Sequence, residues 1–237
     1  MFINSKGIVL HKNKYADSSL IVKIYTETHG TLTFLIKNAF AKKSKFNASL
    51  FGSLNVLDLT FNYTPQREIL FLKEASLHQP FNEIPFDLNK SSILIFYNEL
   101  LYKYLIHADA DTELFHLIEN NLYELDTTTE NIADFHIKFL IKLINQQGIT
   151  PENNYSTSHR YLSLYKERFE QTYHPDDTLS EASSLYISNL FNKETPQKIN
   201  KETRLETLRG LVSYLQIHYE HIGTINSISI LSNIIKK

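Results

Sequence analysis

Cysteine is absent from all 237 residues, so disulfides, thiol nucleophiles and thiolate metal sites are excluded from the outset. Glycine is scarce as well. Six residues are too few to build several phosphate-cradling loops, and no G-x-S-x-G, Walker-type or dinucleotide-binding pattern occurs. No apolar run approaches the roughly 18 residues that a bilayer crossing needs. The first twenty positions lack both a continuous apolar stretch and a small-residue cleavage site, so a cytoplasmic, soluble protein is expected. Ten histidines remain as possible metal ligands. His218 and His221 stand at i and i+3 with no third ligand, which fits a partly exposed helix face better than a metal centre. Asp109-Ala110-Asp111 lacks the glycine and the terminal glutamate of a calcium loop and reads as a helix cap. The expectation is a protein with no catalytic residues, no metal and no cofactor.

What is present is the composition of a folded chain, 42% hydrophobic and 21% charged, at a length that suits one large or two modest domains. The net charge of −2 conceals an asymmetry. Residues 1–78 hold ten Lys/Arg against five acids, a balance of +5, whereas the remainder holds fourteen basic and twenty-one acidic residues, −7. A basic part therefore precedes an acidic one.

Up to Leu77, short β-branched and aromatic runs alternate with turn residues. Five strands are expected, beginning near Lys6, Leu20, Thr31, Leu54 and Glu68. Glu27-Thr28-His29-Gly30 supplies the turn between the second and third, with Gly30 able to take a positive φ, and Thr64-Pro65-Gln66 turns the fourth into the fifth. Five strands with one long connection fit a small barrel of the oligonucleotide/oligosaccharide-binding (OB) type, and by count alone an SH3-like barrel as well. After Pro80 the period changes to three and four. Helices are expected from Asn89 to His107, from Thr112 to Leu125, from a Thr127/Glu130 capping box to Gly148, from Ser180 to Phe191, from Lys201 to His221, and finally from Asn226 or Ser227 to Lys237. Residues 150–182 are polar, with a short helix or strands between Tyr161 and Phe169. The fold class read from this pattern is α+β: a five-stranded OB-fold β-barrel over 1–79, then an α-helical domain over 80–237.

One stretch stands out for function. Lys37-Asn38-Ala39-Phe40-Ala41-Lys42-Lys43-Ser44-Lys45-Phe46 places four lysines and two phenylalanines in the long strand connection. Lysines attract phosphates without regard to sequence, and phenylalanine rings stack on unpaired bases. Lys37, Phe40, Lys42, Lys43 and Lys45 are thus candidate DNA contacts, against the plainer reading of a solvated loop. A second candidate is the helix around Lys138 and Lys142, one turn apart and flanked by Phe135, Phe139, Leu140 and Leu143. A basic rim beside an apolar groove can hold a short acidic peptide, although a core face bordered by lysines is the commoner arrangement. Lys201, Arg204 and Arg209 could touch DNA or pair with Glu202 and Glu206 on their own helix.

Several of these features together resemble the RecO family of bacterial recombination mediators. Gly7-Ile8-Val9-Leu10, Tyr15 with Asp17-Ser18, Thr26 with Gly30, and Lys37-Asn38-Ala39 with the lysines that follow match its amino-terminal pattern in order and spacing. Asn98-Glu99-Leu100-Leu101, Glu113-Leu114-Phe115 and the closing run from Tyr214 to Leu231 resemble its helical part. The resemblance implies an OB-fold followed by a helical domain, binding of single- and double-stranded DNA, annealing of complementary strands, and contact with the acidic tail of single-stranded-DNA-binding protein (SSB). It further implies cooperation with RecR in loading RecA, and no bond-breaking activity. It carries DNA contact to Lys37, Lys42, Lys43 and Lys45, and an SSB-tail site to Lys138, Phe139 and Lys142. The chain departs from the family where many members carry a four-cysteine zinc motif. The corresponding span, 150–182, has no cysteine, and Tyr155, Tyr161, Tyr165, Phe169 and Tyr173 are the residues that could pack it instead. The competing reading is a protein-only adaptor whose lysines meet an acidic partner.

Overall fold

The computed structural model describes residues 2–194 and 198–234. These form two compact units that divide between Thr127 and Thr128.

The first unit is built on six strands: β1 (Phe2–Tyr15), β2 (Ser19–Thr26), β3 (Gly30–Ile36), β4 (Val56–Asn62), β5 (Ile69–Leu70) and β6 (Leu72–Leu77). Their order in the sheet is β5-β3-β2-β1-β4-β6. The two ends of the sheet, β5 and β6, are separated in the chain by Phe71 alone, so the sheet curls round on itself into an OB-like barrel. The expected fifth strand is therefore two pieces. β5 pairs in parallel with β3, and β6 pairs antiparallel with β4. Alternation drives the curl, because Val9, Val22, Ile24, Phe34, Leu57, Phe61, Leu70 and Leu72 all point inward to one core.

Two helices complete this unit, α1 (Leu88–Leu105) and α2 (Thr112–Thr127). Asp87 caps α1 by accepting from the backbone NH groups of Asn89 and Lys90. Asp111 Oδ1 accepts from Leu114 NH (2.9 Å) at the start of α2, the capping role expected of Asp109-Ala110-Asp111. The boundary expected near residue 80 falls in the passage from strand to helix, while the compact units divide later, after Thr127. The reason is packing: Tyr25 meets the Phe115 ring at 6.0 Å and donates to the Asp111 carbonyl, and His11 stacks on Tyr102 at 4.6 Å. The passage itself is held by one buried carboxylate. Asp126 accepts from the NH groups of Asn82, Glu83 and Ile84, each at 2.9 Å.

The second unit packs α3 (Phe135–Gln146), α4 (Glu181–Phe191) and α5 (Lys201–His218) around Ile137, Phe139, Leu140, Leu143, Ile187, Leu208, Leu211 and Leu215. The Thr127/Glu130 capping box does not form. Thr127 ends α2 and turns its hydroxyl back onto the Tyr123 carbonyl (2.9 Å), so α3 opens only after Asp134. A turn of 3-10 helix (Glu220–Ile222) and α6 (Ile228–Ile234) follow α5. The expected run of α6 to Lys237 ends outside the described residues.

Residues 150–182 contain a small hairpin, β7 (Tyr161–Ser163) with β8 (Arg168–Glu170). Phe169 is buried and meets the edge of Tyr155, and Tyr161 packs on Tyr173, while Tyr165 is largely exposed. Hydrogen bonds from short polar side chains carry the rest. Asn154 accepts from Phe169 NH and donates to its carbonyl, Ser163 donates to Asp177, and Ser184 accepts from Leu162 NH. Glu206 accepts from both Ser180 and Ser183 and so ties this span to α5.

Candidate nucleic-acid interface

The lysine stretch begins where β3 ends. It is anchored rather than loose: Ala39 is fully buried, its carbonyl accepts from Ala48 NH (3.0 Å), Phe51 sits in the barrel core and Leu54 is fully buried. Leu54 takes φ +58, its NH donates to the Val9 carbonyl, and Val9 NH donates in turn to the Asn55 carbonyl. Asn47 caps the 3-10 turn Ala48–Phe51 by accepting from Ser49 NH. Between these anchors Lys37, Phe40, Lys42, Lys43 and Lys45 are all exposed, Phe40 at 54%. Phe46 instead packs partly against the core. A pinned backbone that presents cations and a ring costs less ordering entropy on binding than a free loop would.

The structure brings further groups to the same side of the barrel. Lys45 Nζ donates to the Lys73 carbonyl at 2.5 Å and lies 5.2 Å over the Phe46 ring. Lys37 Nζ stands 5.4 Å over Phe71, and Lys73 Nζ 4.4 Å over Phe2. Phe2, Phe71 and Lys73 were not anticipated from the sequence. The signal was present, since Phe71 lies between the core residues Leu70 and Leu72 and alternation alone turns it outward. By contrast Phe61 is a core residue, Tyr63 is partly buried against His29 (4.4 Å), and Tyr15 is exposed on the β1–β2 hairpin.

Not every cation of the first part is available to a ligand. Lys6 forms an ion pair with Glu119 at 2.5 Å, and the imidazoles of His78 and His116 sit beside Asp58 and Glu27. Glu27, Asp58 and Glu74 line a hollow with Lys6 and Ser76, so carboxylates outnumber cations there.

In the second unit Lys138 and Lys142 are exposed on α3 one turn apart, but Phe139 is 0% exposed. The apolar residues beside these lysines are the core of the unit, not a groove, and Phe139 is removed as a partner contact. Arg204 does not pair along its helix: it meets Asp134 at 2.5 Å, and Glu206 is taken by the serines. On the buried face of α3, desolvation pushes His136 down to about 4, against the pull of Asp134 and with the help of Arg204. His218 ends α5 while His221 lies in the following 3-10 turn, so they share no helix face. Among the described residues no group of three or more His, Cys, Asp or Glu is placed to hold a metal ion, and no helix is long and apolar enough to cross a membrane.

Comparison with known proteins gives matches over both parts of the chain. Residues 1–81 match the family model described as Recombination protein O N terminal, and residues 85–224 match Recombination protein O C terminal. The chain is 29% identical to a protein of Bacteroides fragilis named DNA repair protein RecO, over 99% of both chains. Proteins of the same name from Christiangramia forsetii and Porphyromonas gingivalis are each 28% identical, again over 99% of both.

Proposed function

The chain belongs to the RecO family of DNA repair proteins, recombination mediators that perform no enzymatic chemistry, and from that premise we propose that its barrel holds DNA through the Lys37–Lys45 stretch. Single and double strands are both bound, mainly by their phosphates and with little regard to sequence. Two complementary strands brought together on this surface anneal by base pairing. With RecR, the protein helps RecA load onto strands coated by SSB. The observation that carries the reading is the anchored loop, which exposes Lys37, Phe40, Lys42, Lys43 and Lys45 together. Lys138 and Lys142 are proposed to meet the acidic SSB tail by charge alone.

About four or five phosphates neutralised on a single strand give a slope of about −3 to −4 for log affinity against log salt. A Lys42→Glu/Lys43→Glu variant is expected to weaken oligonucleotide binding at least tenfold, to make that slope shallower by about 1.4, and to leave binding of an SSB-tail peptide unchanged. Lys138→Glu/Lys142→Glu should do the reverse. Fluorescence anisotropy with both labelled ligands, across a salt series, reads all of these. A flat salt response with intact peptide binding would replace this reading with the protein-only adaptor.

A further inference from the structure

We infer that Phe2 and Phe71 form a base-stacking platform selective for single-stranded DNA, rimmed by Lys37, Lys45 and Lys73, an inference that rests on the DNA-binding reading above. The platform lies where the sheet curls shut. Phe2 pairs with Asn62, and the next residue of β4, Phe61, faces Leu72 on β6. Phe71 joins β5 to β6, so the two rings flank β4 on the outer face of the barrel. They are 59% and 47% exposed, large values for phenylalanines carried by or next to strands.

A β-bulge sets the geometry. On β4 the consecutive residues Phe61 and Thr60 face Leu72 and Glu74, which leaves Lys73 as the extra residue. Bulges re-aim side chains, and this one sends Lys73 over Phe2. The Lys73 carbonyl in turn receives Lys45 from the anchored loop. Loop, bulge and rings are therefore one connected surface.

The magnitudes favour a nucleic acid over the internal contacts. An exposed cation–π pair contributes about 0.5–1 kcal/mol, while a base stacked on an aromatic ring contributes about 1–3 kcal/mol. A lysine that swings from a ring to a phosphate loses the smaller term and opens the ring to a base. Three cations beside two rings complement an alternation of phosphates and bases. A duplex keeps its base faces stacked internally and cannot use the rings. Bases held by their faces leave their pairing edges free, as annealing requires.

The test is a Phe2→Leu/Phe71→Leu variant, which retains apolar bulk at exposed positions and removes the π faces. Its affinity for a labelled oligothymidine should fall about tenfold or more, its affinity for a duplex of equal length should stay within about twofold, and its salt slope should not change, because no cation is lost. A readout without substitution accompanies it: 2-aminopurine in a single-stranded oligonucleotide should change fluorescence on binding the parent protein. Equal weakening on both DNAs, or undiminished single-strand binding, overturns the platform while leaving the lysine loop in place. Failure of the parent protein to bind either DNA overturns the DNA-binding reading itself, and the platform with it.

Discussion

Gly30→Ala is expected to remove about 3 kcal/mol or more of stability from the strand-bearing unit, whereas Gly148→Ala should cost about 1 kcal/mol. Both glycines have positive φ, +66 and +68, so both substitutions carry the left-handed penalty. Only Gly30 is also crowded. A Cβ there would run into the Ala108 carbonyl oxygen and lie 2.7 Å from the Asp109 carbonyl carbon and 2.9 Å from the Ala110 nitrogen, whereas nothing lies within 4 Å at Gly148. Backbone atoms cannot step aside as a side-chain tip can. Displacing that connection would break the bond from Thr31 NH to the Ala108 carbonyl and that from the Thr31 hydroxyl to the Leu105 carbonyl. Each contributes about 1 kcal/mol. Urea denaturation of the three proteins, with hydrogen exchange of the β2 and β3 amides, measures the difference. Equal losses at the two glycines would show that the close approach to Ala108 has no energetic weight.

Asp126→Ala should cost a similar amount, about 3 kcal/mol, since it strands three backbone NH donors that the carboxylate now satisfies. Asn at this position should be intermediate, because one amide oxygen can accept where its NH2 group cannot. Burial works to raise the Asp126 pKa, but the three NH donors and nearby Lys90 outweigh it and hold the carboxyl below its ordinary value. The sign follows: this contribution is complete above about pH 4 and is lost as pH falls further, through the lowered folded-state value. His136 acts in an earlier window. Its neutral form is the buried one, so its unit keeps full stability above about pH 6.5 and loses some between there and about 4. Urea midpoints of the parent and of Asp126→Asn across pH 3 to 7 test both. A gap between the two proteins that stays constant down to pH 3 would be incompatible with a depressed Asp126.

Much of the fold was legible because the residues that decide it act locally. Gly30 marks a tight hairpin, Asp87 and Ser180 cap the helices that follow them, and the β-branched runs are the strands. What escaped depends on contacts distant in sequence. The run from Glu68 to Leu77 reads as one strand, and only its two different neighbours, β3 and β4, split it at Phe71. Thr127 and Glu130 have the spacing of a capping box, yet the Thr127 hydroxyl found a carbonyl in its own helix. Phe139 has the period of both a groove and a core, and tertiary packing decided for the core. At the site, the lysines were visible as a cluster, whereas Phe2, Phe71 and Lys73 come from three places that only the curl of the sheet unites.

That curl bears on crowding. A sheet ordinarily ends in rows of unpaired NH and carbonyl groups that invite strands from other molecules. Here the segment that ends the sheet on one side continues, after a single residue, as the strand that ends it on the other. For an incoming strand to displace either piece, it would have to unfasten a segment that is held by both β3 and β4. Exchange of strands between crowded copies is thus opposed at both edges at once.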